Sequence, residues 1–221
     1  TEVSGIDNVP AGRVLAVCNH SGQLPFDATV IAASLFLDAE PPRFARTMVE
    51  KWTQTVPFVG TFYARCGQVL GVPENARLLL RNEELVLVFP EGVRGIAKPF
   101  TRRYELTDFG LGFARLALQT KTPILPMALV GAEEQYISVG NLGALAKMLS
   151  MPVFPMIPQL LLPGGQMPLP VKYRLYVGQP LTLEGDPDDD DVVIQQKVFQ
   201  VREQVEALIQ RGLRERRGLF W

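Results

Sequence analysis

Short apolar runs alternate with longer stretches of helical spacing along this chain, and no other feature restricts its fold as much. Arg13 to Cys18 reads RVLAVC, Glu84 to Phe89 reads ELVLVF and Pro123 to Val130 reads PILPMALV. Runs so short and so apolar predict strands, the first of them buried, since a helix needs about ten residues or more. Between them, Asp27 to Leu37, Pro73 to Asn82 and Thr107 to Gln119 carry helical spacing, with Pro73 acceptable in a first turn. Arg43 to Met48 reads as another strand, and Glu50 to Phe62 as partly helical, interrupted at Pro57 and Gly60. The alternation predicts an α/β fold with a mixed, largely parallel central sheet flanked by helices. Two prolines within 123–130 predict an irregular or edge strand there. Val171 to Val177 (VKYRLYV) alternates and predicts a late strand. After the acidic run at 186–191, a helix is predicted from Val192 to about Leu213, with Ile194, Val198, Val201, Val205 and Leu208 facing the core. The acidic run itself reads as a solvated helix start.

The 221 residues predict a single domain, 1–221. The chain opens only a short step before its first strand, so a further upstream segment is expected. A formal net charge of -1 argues against a nucleic-acid partner. The one histidine, His20, rules out a multi-histidine metal site, and Cys18 and Cys66 lack the paired spacing of a zinc module. No metal is expected. The patterns of a nucleophile elbow and of a phosphate-binding loop are absent, as is an apolar run of about 18 residues.

His20 follows a predicted strand and precedes a predicted helix, where open α/β sheets form a crevice. Asp27 comes seven positions later, and a bend through Ser21, Gly22 and Pro25 returns its carboxylate to the imidazole. Two readings stand side by side. One is a structural histidine beside a helix-capping aspartate. The other is a general base whose tautomer the carboxylate fixes. Cys18, two positions earlier, reads either as a buried strand cysteine or as an acyl shuttle on the same face.

Four segments in order resemble the signature blocks of the glycerolipid acyltransferase superfamily. They are NHSGQLPFD at 19–27, PFVGTFYARCG at 57–67, VFPEGVRG at 88–95 and ILPMALVGAEE at 124–134. The first block is most similar to the monoacylglycerol acyltransferase-like branch, and PLPVKYRLYVGQPL resembles the region beyond the fourth. Six residues separate His20 from Asp27, where the commonest family form has four, and the second block is one residue shorter.

The resemblance implies a glycerol-phosphate-acyltransferase-like fold. It implies that His20 takes the proton of an acceptor hydroxyl while Asp27 orients the imidazole. Arg65, Glu91, Gly92 and Arg94 would bind substrate. The donor would be an acyl thioester of coenzyme A or acyl-carrier protein, with no other cofactor, and the acceptor a glycerolipid or lysophospholipid-like hydroxyl. The alternatives are a lipid-binding protein without turnover and a hydrolase in which His20 activates water. A peripheral position on the cytoplasmic side of a membrane is expected. The proline-broken apolar cluster of Met148, Leu149, Met151, Phe154, Met156 and Ile157, with Lys147 beside it, would supply the contact. Arg211, Arg214, Arg216 and Arg217, before Phe220 and Trp221, would reach anionic headgroups.

Overall fold

The computed structural model describes residues 1–22, 26–55, 58–148 and 151–218, without the side chains of residues 54 and 55. Pro25, Pro57, Leu149, Phe220 and Trp221, named above, lie outside the described residues. The chain runs β1 (Glu2–Ser4), β2 (Val14–Cys18), α1 (Phe26–Asp38), β3 (Ala45–Val49), α2 (Val59–Arg65), β4 (Val69–Leu70), α3 (Pro73–Arg81) and β5 (Leu85–Val88). It continues through α4 (Val93–Ile96), α5 (Gly112–Thr120), β6 (Ile124–Val130), β7 (Gly140–Asn141), α6 (Gly143–Met148), β8 (Pro155–Met156), β9 (Arg174–Val177) and α7 (Asp191–Glu215).

Seven strands form one sheet in the order β1-β9-β6-β2-β5-β3-β4. All neighbours are parallel except β6 and β9. The pleat sends successive side chains of β2 to opposite faces. Leu15 and Val17 join a core with α3, α5 and α7, while Val14, Ala16 and Cys18 join one with Ile31 and Leu35 of α1. Fully burying each such aliphatic side chain is worth about 1.5–3 kcal/mol, so two packed faces hold the strand ends in place.

The sheet is mixed and largely parallel with helices on both faces, as the alternation predicts. Three details differ. First, β6 is interior and wholly buried, not at an edge. Pro126 is tolerated within β6 because its regular pairing with β9 breaks beside that residue. It covers Met127–Val130 and returns only as the bridge Ile124–Leu181, with three steps on β6 against four opposite. An unpaired bulge of this kind needs no proline N–H. Second, α5 begins at Gly112 instead of near Thr107. Thr107 donates to Glu91, and the Gly110 N–H donates to the Pro90 carbonyl, so residues 107–110 serve the loop after β5. Third, Ile209 is the buried residue one turn after Val205 on α7, while Leu208 is only partly buried at the margin. The acidic run is gripped by Arg115, which holds the carbonyls of Pro187 and Asp189 and the Asp191 carboxylate.

Candidate active site

The parallel strands β2, β5 and β3 end on one edge of the sheet, and the segments that leave them carry His20, Glu91 and Glu50. Asn19 locks the first of these segments. Its side-chain amide accepts from the Leu129 N–H at 2.9 Å and donates to the Leu129 carbonyl at 3.1 Å, tying the end of β2 to β6. His20 then turns its ring so that Nδ1 stands 2.7 Å from Oδ2 of Asp27. That oxygen also accepts from the Ser21 N–H, and Oδ1 accepts from the Ala28 N–H. Asp27 is fully buried in the first turn of α1, where the helix dipole favours a negative charge. A carboxylate only accepts, so Nδ1 carries the proton and Nε2 keeps its lone pair.

The segment after β5 closes over this pair. The Phe89 ring stacks on the imidazole, with centroids 4.4 Å apart and planes 19° from parallel. Glu91 Oε1 accepts from the His20 backbone N–H at 3.0 Å, while Oε2 accepts from the Thr107 N–H at 2.8 Å and from its hydroxyl at 3.0 Å. Buried Lys98 stands 3.7 Å from Glu91 Oε2 and donates to Glu133 Oε1 at 3.2 Å and to the Glu105 carbonyl at 2.8 Å. Gly95 makes this closure possible. A Cβ there would lie 2.8 Å from the His20 Cβ and 3.0 Å from the Glu91 Cβ, too close without displacing one of them.

The electrostatics follow from burial and these neighbours. Burial by itself drives the His20 pKa down. The charge and hydrogen bond of Asp27, then the charge of Glu91, outweigh it and leave the pKa above its ordinary value, with Lys98 opposing. Burial pushes the Glu133 carboxyl up to about 7, against the pull of Lys98. Burial also raises the Cys18 thiol well above its usual range. Cys18 is fully enclosed in the core, which favours the strand-cysteine reading over an acyl shuttle.

His20 faces an apolar cavity of about 310 Å³. Thr47, Met48, Trp52, Tyr63, Phe89, Gly92 and Ile96 form part of its wall. The roof comes from Met151, Val153, Phe154, Pro155, Ile157 and Leu160. The described part of the expected apolar cluster is divided between this roof and the surface. The short β7–β8 ladder and the bonds from Val139 N–H to the Met156 carbonyl and from Leu142 N–H to the Phe154 carbonyl fold the segment back over the site. Met151, Phe154 and Ile157 therefore face the cavity, while Met148, Met156, Leu161, Leu162 and Met167 are among the exposed apolar residues of this region.

The acyltransferase family profile matches residues 1–130. The chain belongs to the acyltransferase family. An uncharacterized protein from Mycobacterium tuberculosis is 35% identical over this whole chain and 63% of its own length. The "DGAT1/2-independent enzyme synthesizing storage lipids" of mouse is 25% identical over 96% of this chain and 60% of its own. The chain thus spans about three-fifths of these relatives. The crystal structure of the 1-acyl-sn-glycerophosphate acyltransferase PlsC from Thermotoga maritima shares the fold. Its TM-score is 0.62 at 19% identity, over 98% of this chain and 73% of that one.

Among the residues expected at an acyltransferase site, the structure brings His20, Asp27, Glu91 and Gly92 together. Gly92 lines the cavity at φ 55°, ψ -146°, a conformation that suits glycine. Glu91 differs from a substrate-binding group, because its carboxylate is buried with both oxygens taken by protein donors. The cation beside it is Lys98. Arg94 is exposed and donates to the Asp108 carbonyl, and Arg65 is exposed at the end of α2, where Tyr63 is the residue on the cavity wall. Arg211 pairs with Glu215, and Arg216 with Glu134, so both are engaged by the fold itself. Sequence reading missed Asn19, Gly95, Lys98 and Glu133. Asn19, Gly95 and Glu133 stand inside the segments NHSGQLPFD, VFPEGVRG and ILPMALVGAEE, and Lys98 alone lies outside them. Among the described residues no group of His, Cys, Asp or Glu is arranged to hold a metal, and no helix is long and apolar enough to cross a membrane.

Proposed function

We propose that this chain transfers a fatty acyl group from a thioester of coenzyme A or acyl-carrier protein to the hydroxyl of a neutral glycerolipid. The carrying observation is that the sole histidine has one ring nitrogen on a buried aspartate and borders an apolar cavity. The Nε2 lone pair takes the acceptor's hydroxyl proton as its oxygen attacks the thioester carbonyl. The tetrahedral adduct expels the thiolate by breaking the C–S bond, and the imidazolium returns the proton to sulfur. Asp27 holds the ring and balances the imidazolium. General-base assistance of this kind is worth about 10²–10⁴-fold.

A neutral acceptor is favoured because, among the described residues, no lysine or arginine lines the cavity, while Glu50 does. A phosphate headgroup would meet negative charge there and no partner along that wall. The storage-lipid description of the mouse relative points the same way. Peripheral attachment to the cytoplasmic face of a membrane completes the proposal, since both acyl chains and the glycerolipid acceptor partition into bilayers. Labelled acyl-coenzyme A offered with monoacylglycerol, diacylglycerol and lysophosphatidate tests the reading. Labelled ester formed on the neutral acceptors is expected. Free fatty acid without acceptor would indicate a hydrolase, and binding without turnover a lipid-binding protein.

A further inference from the structure

His20 sits between two buried carboxylates, Asp27 at its Nδ1 and Glu91 at its backbone N–H. Both stabilise the imidazolium, and a protonated imidazole cannot accept a proton from an acceptor hydroxyl. The titratable groups around it are Asp27 from α1, Cys18 from β2, Glu91 from the loop after β5, and Glu50 and Tyr63 on the shared cavity wall. Burial pushes up the pKa values of Cys18 and Tyr63, so both are neutral at physiological pH. The charges of Asp27 and Glu91 both favour the protonated ring. Lys98, which follows α4, brings positive charge against them from behind Glu91.

We propose that Lys98 is a positioning residue that sets the basicity of His20, offsetting the charge of Glu91 so that the imidazole stays free to accept a proton near neutral pH. The inference rests on His20 as the general base. Its geometry separates it from an ordinary buried salt bridge. The Glu91 oxygens already accept from three protein donors, the His20 N–H, the Thr107 N–H and the Thr107 hydroxyl. At 3.7 Å, Lys98 Nζ lies beyond hydrogen-bond distance of Glu91, so its action there is that of a charge. Its direct hydrogen bonds go instead to Glu133 and to the Glu105 carbonyl, which hold the ammonium in place. Glu133, in turn, is held by the Tyr104 N–H at 3.0 Å.

Because His20 is the only histidine, its imidazole signals in the NMR spectrum need no assignment, and its titration can be followed without any activity assay. In Lys98→Met the His20 midpoint should rise by roughly half a pH unit or more, and Lys98→Arg should hold it at the parent value. The acid limb of the acyl-transfer profile should move by the same amount, lowering the rate at pH 6 by about threefold. Should Lys98→Met fail to fold, Lys98→Met/Glu133→Gln removes the carboxylate left without its cation and should show the same rise. A folded variant whose histidine titrates as in the parent overturns the proposal, because a purely structural lysine alters stability without moving that midpoint. The titration stands whether or not His20 proves to be the general base; inactivity of the parent on all acceptors would count against the acyltransferase reading alone.

Discussion

His20 and Asp27 meet at 2.7 Å although seven positions separate them, because β2 ends where α1 begins and the helix presents its second residue back towards the strand. The same carboxylate binds the Ser21 and Ala28 N–H groups, so it is fixed before it touches the imidazole.

On the proposed mechanism, removing the His20 imidazole should remove transfer and leave the fold. His20→Ala is expected to lose about 10²–10⁴-fold in kcat, with an unchanged circular dichroism spectrum. Asp27→Asn should also lose much of the rate, since an amide can donate to Nδ1 and stabilise the wrong tautomer. Wild-type turnover by folded His20→Ala would remove the mechanism.

Activity should rise with pH across a midpoint above the ordinary histidine value of 6.5, because Asp27 and Glu91 outweigh burial in holding the proton on His20. On the proposed mechanism the neutral imidazole is the active form, so the acid side is the inactive side. A kcat/KM profile from pH 5 to 9 on a neutral acceptor checks this, and a midpoint below 6.5 would contradict it.

Stability should run the other way. Glu133 and His20 both have folded pKa values above their unfolded ones. Each contributes stability that is complete below the unfolded pKa and lost as pH rises through the folded one. For Glu133 that window runs from 4.5 to about 7. Glu133→Gln should flatten the fall in Tm across it by a few degrees, at roughly 2–4 °C per kcal/mol. Thermal melts at pH 5 and pH 7 decide.

Gly95→Ala should lower kcat while the protein stays folded. Its new methyl would press on the His20 Cβ and the Glu91 Cβ, and both belong to the site. About 10-fold or more is expected from a displacement of the base by a fraction of an ångström, given how steeply catalysis depends on alignment. Comparison with Gly112→Ala, where the added Cβ meets nothing within 4 Å, supplies the control.

The segment over the cavity should divide its work between two faces. Val153→Trp is expected to shorten the acyl chain accepted, because Val153 lines the cavity. Met148→Asp/Leu161→Asp/Leu162→Asp should weaken vesicle co-sedimentation several-fold with little change in chain preference, because these residues face outward. Equal vesicle binding by the triple variant would place any membrane contact elsewhere.

The strands and the first and third signature segments were legible because their information is local. RVLAVC and ELVLVF are short and continuously apolar, and such runs, buried on both faces, form interior strands. The turn that follows each then lands on one sheet edge, since parallel strands share a direction. Arg65 and Arg94 show the limit of that reasoning. Their position in a motif is local, but the direction of each side chain depends on which face its helix buries.

By itself, the sequence determined the alternating α/β pattern, the pairing of His20 with Asp27 and the convergence of Glu91 on the same crevice. Tertiary structure alone decided what surrounds them. Asn19 finds Leu129 at a separation of 110 residues, and Lys98 finds Glu133 at 35. No periodicity records such meetings, because they arise only when β6 lies beside β2 and the chain beyond each strand is packed against its neighbour. The same holds for Met151, Phe154 and Ile157. Their apolar character fits a lipid surface or a cavity roof equally well, and the β7–β8 pairing, closed by backbone hydrogen bonds, directs them inward.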